Sequence, residues 1–173
     1  MKALRIFLVS TMALASWSSC SKNDQQSSGS LPEVNANSEN TSEISSDSTV
    51  TVINLKAGDD MKFDLSEIKV KEGQSIKLKL NNVGNMPKSA MGHNFVLLKR
   101  NIDVAKFANA CVDAKAPDFD IPAELLKDVI AHTKMIGGGE STEIEFKAPP
   151  AGTYSFICSF PGHYMMIGIL TVE

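Results

Sequence analysis

Short segments in which apolar and polar residues alternate one by one constrain the fold of this chain most strongly. Alternation is strict in two segments, 75–80 (SIKLKL) and 142–147 (TEIEFK), and it gives a strand one buried face. Further strand-like runs are 50–55, 93–98, 153–158 and 168–172, and turn residues such as 148–152 (APPAG) separate them. Short strands divided by polar turns are typical of a β-sandwich or barrel. The apolar content of 43% is sufficient for one hydrophobic core.

Residues 101–126 lack this alternation and show helical spacing instead. Asn101 is expected to cap the N-terminus of a helix, with Asp103 in its first turn. Four residues spaced i, i+3, i+4 and i+7 form one apolar face: Val104, Phe107, Ala108 and Cys111. Pro122 is expected to open a second short helical turn through Leu126. The sequence therefore predicts a mostly helical flap outside the sandwich.

Residues 1–19 have the pattern of a secretory signal. Lys2 and Arg5 supply basic charge, and the apolar run 6–15 is too short to span a bilayer. Small residues precede Cys20, and this pattern resembles a bacterial lipoprotein signal, in which the cysteine is acylated and becomes the first residue. A lipid on Cys20 would hold the protein at a membrane. The alternative is ordinary signal cleavage just before Cys20, with the cysteine incidental.

Residues 20–48 are rich in Ser, Asn, Gln, Glu and Asp and nearly free of apolar side chains. Because such a composition cannot form a core, we predict a flexible tether, with residues 49–173 as the folded domain. The net charge of −3 at pH 7 argues against nucleic-acid binding through a basic surface. The protein is expected in the cell envelope, lipid-anchored, with its domain in the periplasm or on the cell surface.

Cys158 and His163 lie in a short loop between two strand-like runs, with Pro161 and Gly162 forming a tight turn between them. A thiolate, imidazoles and a weakly bound thioether are the ligand set of a mononuclear blue-copper site. Taken alone, a cysteine at this place is more often a small buried apolar residue. The combination of Cys158 and His163 with His93 favours a metal site.

His93 is the natural second imidazole, because the chain has only three histidines. Like His163, it follows a glycine at the edge of a strand-like run. His132 has polar neighbours and no partner cysteine, so we interpret it as a surface residue. Met165 and Met166 compete for the axial thioether position, and the alternative is that both are core or surface residues.

Three segments closely resemble the azurin family of cupredoxins: 84–97 (GNMPKSAMGHNFVL), 129–140 (VIAHTKMIGGGE) and 158–163 (CSFPGH). The resemblance extends over 49–173, essentially the whole folded part. It implies an all-β fold, an eight-stranded Greek-key sandwich with an external helical flap. It also implies a single-electron carrier whose cofactor is one type 1 copper ion, Cu(I)/Cu(II).

The resemblance implies a role for each site residue. The trigonal copper plane would consist of His93, Cys158 and His163, with the backbone carbonyl of Gly92 as a distant axial group. Hydrogen bonds near the sulfur, which tune the reduction potential, are implied for Asn94, Ser159 and Phe160.

Two of the departures from the azurin pattern concern the copper ligands and the pH response. The place of the azurin axial methionine is taken here by Ile167, so a one-residue deletion would make Met166 the axial ligand. Met165 would then lie beside the site at the surface. The family's buried, pH-responsive histidine is replaced by Asn82, so no such pH switch is predicted.

The expected partners are redox proteins of a respiratory chain, such as a c-type cytochrome or a reductase. His163 is the expected exit for the electron, through an apolar docking patch that includes Phe160 and four methionines: Met61, Met86, Met91 and Met165. Redox partners are suited by small, weak interfaces.

The protein is expected to be a monomer and not an enzyme, because the sequence offers no second metal cluster, open coordination position or acid–base pair. The main alternative function is a copper-binding or copper-delivery lipoprotein. A small oxidoreductase and a purely structural surface lipoprotein are further alternatives. Cys111 is expected to be buried on the helix face, and the alternative is a dimer through this thiol.

Overall fold

The computed structural model describes residues 50–173 and the backbone of residues 46–47. The predicted signal, 1–19, lies outside the described residues, as does Cys20. The predicted tether, 20–48, also lies outside them apart from residues 46–47.

Nine strands and three short helical segments make up the described part of the chain. The strands are β1 (Ser46–Asp47), β2 (Val50–Ala57), β3 (Glu67–Val70), β4 (Ser75–Asn82), β5 (Val96–Leu98), β6 (Val129–His132), β7 (Ser141–Lys147), β8 (Gly152–Ile157) and β9 (Ile167–Val172). The helical segments are α1 (Lys88–Met91), α2 (Val104–Ala110) and a 3₁₀ helix (Ala123–Asp128).

The strands form two sheets, in the orders β1-β2-β4-β7 and β3-β9-β8-β5-β6. β2 pairs in parallel with β4, and β3 pairs in parallel with β9, whereas the other pairs are antiparallel. Strands that follow one another in the chain are thus often separated in space, as in a Greek-key arrangement. Eight strands besides the two-residue β1 confirm the predicted eight-stranded all-β sandwich.

The inner faces of the two sheets share one core. Every second residue of β4 is buried, as its alternating sequence predicts: Ile76, Leu78 and Leu80. Phe156 of β8 faces them from the other sheet, and its ring centroid lies 5.3 Å from those of Phe63 and Phe95. Burying such side chains away from water is the main free-energy term that holds the sheets together.

The predicted helical flap is confirmed and connects β5 to β6. It buries Phe107, Ala108 and Cys111 in a second apolar cluster with Val96 and Ile157, which point away from the main core. The 3₁₀ helix follows Pro122, where a second helical turn was predicted. None of the helices in the described part of the chain has the length and apolar character needed to cross a membrane.

The predicted N-cap of α2 is wrong by two residues. Asp103, not Asn101, caps the helix, and its carboxylate accepts a hydrogen bond of 3.0 Å from the backbone N–H of Lys106. Asn101 instead adopts a left-handed conformation with φ +64°, which asparagine tolerates better than most residues. Asn101 and Asp103 are both residue types that cap helices. Asn101 belongs to the turn that follows β5, so Asp103 caps the helix.

Candidate metal centre

Two neighbouring strands bring His93 and Cys158 to the same end of the sandwich. β5 and β8 are antiparallel, with Val96 opposite Ile157, so the residue stretch before β5 meets the residue that follows β8. The loop that carries His93 is held by two backbone hydrogen bonds of 2.9 Å between His93 and Ile136. The strand pairing alone therefore places the imidazole and the thiol close together.

A tight turn returns His163 to Cys158. Gly162 has φ +91°, in the left-handed region that favours glycine. The backbone N–H of His163 donates to the carbonyl of Phe160 at 3.0 Å and closes the turn. As a result, Nδ1 of His163 lies 3.5 Å from Sγ of Cys158.

The three side chains surround one point. Nδ1 of His93 lies 3.8 Å from Sγ of Cys158, and all three ligand atoms lie within 4.8 Å of one another. Metal bonds of about 2.0 Å to nitrogen and 2.3 Å to sulfur, at about 120°, would separate a nitrogen and a sulfur ligand by about 3.7 Å. The side chains are almost fully buried: His93 is 0% exposed, Cys158 1% and His163 4%. The spacing and the burial fit a single metal ion.

The orientation of the His93 ring is fixed by a backbone carbonyl. Nε2 of His93 lies 3.0 Å from the carbonyl oxygen of Gly58. Because a carbonyl only accepts, Nε2 must carry the hydrogen, and Nδ1 is left with a lone pair directed at the cluster. The tautomer needed for metal binding is thus set by the protein itself.

Burial keeps both imidazoles neutral. Loss of solvent lowers the pKa of His93, against the opposing effects of the Gly58 hydrogen bond and of Asp59 and Asp60. Burial, together with the nearby His93, lowers the pKa of His163 to about 4. Neutral imidazole is the form that binds a metal ion.

Burial also raises the pKa of the Cys158 thiol to about 11, partly offset by backbone hydrogen bonds from Asn94 and Phe160. Without a metal the sulfur is therefore protonated, and it donates weakly to the carbonyl of Gly92 at 3.8 Å. A coordinated thiol is deprotonated outright, so the same backbone N–H groups would then stabilise the thiolate.

Asn94 joins the two loops that carry the cluster. Its Nδ2 donates to Oγ of Ser159 at 2.8 Å, and its Oδ1 accepts from the backbone N–H of Ser159 at 2.8 Å. Both residues are 2% exposed. The loops before β5 and after β8 are thereby tied together next to the thiol.

Gly92 occupies a place that admits no side chain. A Cβ atom there would lie 2.8 Å from the carbonyl oxygen of Lys88 and 2.9 Å from the ring of Phe160. Asn82, buried beneath this loop, donates to the carbonyls of Met91 and Ile136 at 3.4 Å each. Close packing at Gly92 and the hydrogen bonds from Asn82 therefore both hold the Met91–Gly92 segment that precedes His93.

The comparisons with known proteins agree with this geometry. Residues 49–173 match the model of the family described as copper binding proteins, plastocyanin/azurin family. The chain belongs to this family. It is 38% identical to an azurin of Achromobacter denitrificans over 117 residues, which is 65% of this chain and 77% of the relative. It is 34% identical to auracyanin-A of Chloroflexus aurantiacus over 126 residues, 72% of this chain and 75% of the relative.

Solved structures show the same fold at similar sequence identity. The crystal structure of dithionite-reduced auracyanin from Roseiflexus castenholzii matches with a TM-score of 0.63 and 37% identity, over 70% of this chain and 96% of that one. Auracyanin A of Chloroflexus aurantiacus, described as a blue copper protein, matches with a TM-score of 0.64 and 34% identity, over 72% and 99%. The azurin resemblance noted in the sequence is therefore confirmed.

Copper is the cofactor of the plastocyanin/azurin family, and the residues of this family member fit it. One thiol and two imidazole nitrogens form a buried triangle, which is the donor set of a type 1 copper site. Met166 is 1% exposed and belongs to the same core cluster as Cys158. Its backbone N–H donates to the carbonyl of His163 at 2.8 Å. This hydrogen bond closes a tight turn over Tyr164 and Met165 and keeps Met166 close to His163.

The other residues singled out in the sequence differ widely in exposure. Met165 is 76% exposed, Met61 46% and Met86 41%, whereas Met91 is only half-buried. His132 is exposed at the end of β6, as predicted. Cys111 is fully buried and follows α2, as expected for the helix face. His163 is 4% exposed, so the expected surface edge of this residue is narrow.

Sequence reasoning missed several groups that shape the centre. The Gly58 carbonyl is the clearest case, because a backbone acceptor 35 residues away from His93 leaves no residue-type signal. Thr133 is another: its hydroxyl accepts from the backbone N–H of Phe95 at 3.0 Å and anchors the start of β5. The signal available in the sequence was the resemblance of whole segments to azurins, and it does not identify these individual contacts.

Proposed function

We propose that this member of the plastocyanin/azurin family is a single-electron carrier. The proposal is carried by the buried triangle of Nδ1 of His93, Sγ of Cys158 and Nδ1 of His163, all within 4.8 Å of one another. Copper bound there would supply one-electron chemistry by alternating between Cu(II) and Cu(I). The protein's part is to bind the ion, exclude water and hold one geometry.

In this proposal, His93, Cys158 and His163 would be the main ligands of the ion. Met166 would supply the thioether, which is supported by its burial at 1% exposure, against 76% for Met165. The carbonyl of Gly92, 3.8 Å from the sulfur, would be a more distant ligand.

The surroundings of the ligands suit a carrier because they are already held in place. Asn94 and Ser159 tie the two ligand loops by two hydrogen bonds of 2.8 Å. Backbone N–H groups of Asn94 and Phe160 point at the sulfur and stabilise its negative form. Little would therefore rearrange when an electron arrives or leaves, and the hydrogen bonds to sulfur would tune the potential.

We propose that Met61, Met86, Met91 and Met165 form the docking patch for redox partners. Three of them are more than 40% exposed, so their thioethers are accessible to a partner protein. Methionine adapts to varied partner surfaces, and a small apolar contact suits fast exchange. The proposed partner is a c-type cytochrome or a reductase of a respiratory chain. This protein would bind it as a monomer.

We also propose that the protein is anchored in the cell envelope by a lipid on Cys20, with residues 20–48 as a tether. The support is the sequence pattern of residues 1–19. Labelled fatty acid should be incorporated into the full chain and should be lost in Cys20→Ala, together with membrane association. Unchanged fractionation of Cys20→Ala would rule out the anchor.

Copper delivery is the second candidate, and the exposed methionines favour it, since thioethers are soft ligands of Cu(I). The fully buried thiol of Cys158 opposes it, because the ion would have to leave a closed site. Rapid transfer of copper to a chelator of similar affinity would favour delivery. Slow transfer combined with reversible reduction would favour the carrier.

The deciding experiment is a visible spectrum of the purified protein after addition of Cu(II). An intense blue thiolate-to-copper band, absent in Cys158→Ser, is expected. Met166→Ala should change the spectrum and potential more than the matched control Met165→Ala. A colourless protein, or one that binds only zinc, would contradict the proposal.

A further inference from the structure

Two adjacent flap residues, Asp118 and Phe119, contact α1 and the segment between Cys158 and His163; we call them the flap corner. The carboxylate of Asp118 lies 3.1 Å from Nζ of Lys88, in the short helix α1 that precedes the His93 loop. The ring of Phe119 lies 4.9 Å, centroid to centroid, from the ring of Phe160, at 51°. The flap corner therefore bridges α1, which leads into the His93 loop, and the segment that carries Cys158 and His163.

Phe160 transmits this contact to the centre. Its ring lies 4.7 Å from the imidazole of His163, at 43°, and it packs against the backbone of Gly92. Its backbone carbonyl accepts the 3.0 Å hydrogen bond from His163 that closes the ligand turn. Any movement of Phe160 would thus shift a ligand ring and the turn that holds it.

Phe119 has an unusual backbone conformation for a bulky residue. Its φ is +51°, in the left-handed region, and its N–H donates to the carbonyl of Lys115 at 2.8 Å. Such outliers persist only where the surroundings over-determine them, and they concentrate at functional sites. Here the strained residue is also the one whose ring contacts Phe160.

We propose that Phe119 is a positioning residue that keeps the Phe160–His163 side of the metal centre closed and its imidazole fixed, with Asp118 and Lys88 securing the flap corner to α1. The redox part of this inference rests on the proposed function, whereas the packing part concerns only side chains of this chain. Phe119 should carry most of the effect, because the Asp118 side chain is 66% exposed and an exposed ion pair contributes little.

The first test uses the metal-free full chain in a Cys20→Ala, Cys111→Ala background, so that Cys158 is the one thiol left. Phe119→Ala should raise the rate of Cys158 alkylation by iodoacetamide about two- to tenfold, the factor that an aromatic pair is worth in a local opening equilibrium. Phe119→Tyr should restore the slow rate. Phe107→Leu is the matched control, because it shortens a buried side chain of the flap in the second apolar cluster.

Global stability is measured by urea unfolding on the same samples, so that local opening can be separated from unfolding. The proposal is overturned if Phe119→Ala alkylates no faster than its loss of global stability requires, or if Phe107→Leu, corrected in the same way, accelerates as much. It is also overturned if Phe119→Tyr reacts as fast as Phe119→Ala.

The second test loads the same variants with Cu(II). Phe119→Ala should shift the reduction potential and broaden the visible band, and Phe107→Leu should leave both unchanged. If the parent protein shows no blue band while Phe119→Ala still alkylates faster, the electron-carrier proposal fails and the positioning role stands. If the parent is blue and Phe119→Ala changes neither potential nor spectrum, the positioning of His163 is refuted.

Discussion

The tie between the ligand loops offers the sharpest test of how the centre is built. Asn94→Ala removes two hydrogen bonds of 2.8 Å and leaves the backbone N–H of Ser159, at a residue only 2% exposed, without its partner. A lost hydrogen bond costs about 1 kcal/mol, and an unsatisfied buried group about 1–3 kcal/mol. We therefore expect the free energy of unfolding to fall by about 2–4 kcal/mol, a large share of the roughly 5–15 kcal/mol typical of a domain.

Ser159→Ala is the matched variant, because it removes the hydroxyl but keeps the backbone N–H bond to Asn94. It should cost about 1–2 kcal/mol. The double variant should cost less than the sum of the two, with a coupling of about 1 kcal/mol, since both changes remove the same bond. Urea unfolding is measured on the metal-free parent protein, the two single variants and the double variant. The urea concentration at the unfolding midpoint should be lower by about 1–2 M in Asn94→Ala than in the parent. A loss below about 0.5 kcal/mol for Asn94→Ala, or strict additivity, would refute this reasoning.

Three further predictions concern pH, thiol reactivity and close packing. The pKa of His163 is lowered to about 4 from 6.5, so the unfolded chain binds the proton first. The free energy of unfolding of the metal-free protein should therefore be highest above pH 6.5 and should fall by on the order of 3 kcal/mol towards pH 4. A urea midpoint that stays constant between these pH values would contradict this prediction. Burial raises the pKa of Cys111 and Cys158 to about 11, so in a metal-free Cys20→Ala chain at pH 8 a thiol reagent should react only as fast as the protein opens; rapid labelling of Cys111 would revive the dimer alternative. A Cβ atom at Gly168 would overlap the ring of Phe156, so Gly168→Ala should cost about 1–3 kcal/mol or more. A Cβ atom at Gly73 would meet no other atom, but its φ is +71°, so Gly73→Ala should lower the free energy of unfolding by only about 1 kcal/mol. If Gly73→Ala lowers the melting temperature more than Gly168→Ala does, the packing argument is refuted.

The elements that sequence analysis found are those whose signal lies in residue type and spacing. The alternation in 75–80 and 142–147 gave the right strands because one face of each is buried against the other sheet. Cys158 and His163 could be paired in advance because only five positions separate them and Gly162 permits the turn. His93 could be added because few histidines were available and its segment resembled azurins.

The parts that it missed depend on backbone atoms and on competition between similar residues. The Gly58 carbonyl that orients His93 has no side-chain signature. Asp103 and Asn101 were both suitable caps, and the path of the chain after β5 decided between them. The contact of Phe119 with Phe160 depends on a left-handed backbone in a loop, which no propensity predicts for phenylalanine.

The position of β9 has a consequence for the order in which this molecule is made. Among the described strands, β9 does not lie at an edge of its sheet but between β3 and β8, so β3 has this strand partner only after residue 172 has been synthesised. Cys158, His163 and Met166 all lie in the connection from β8 to β9. A growing chain that already displays His93 therefore cannot yet assemble the complete centre. Contacts between distant parts of a sequence also form slowly, so metal capture should be one of the last events in the maturation of this protein.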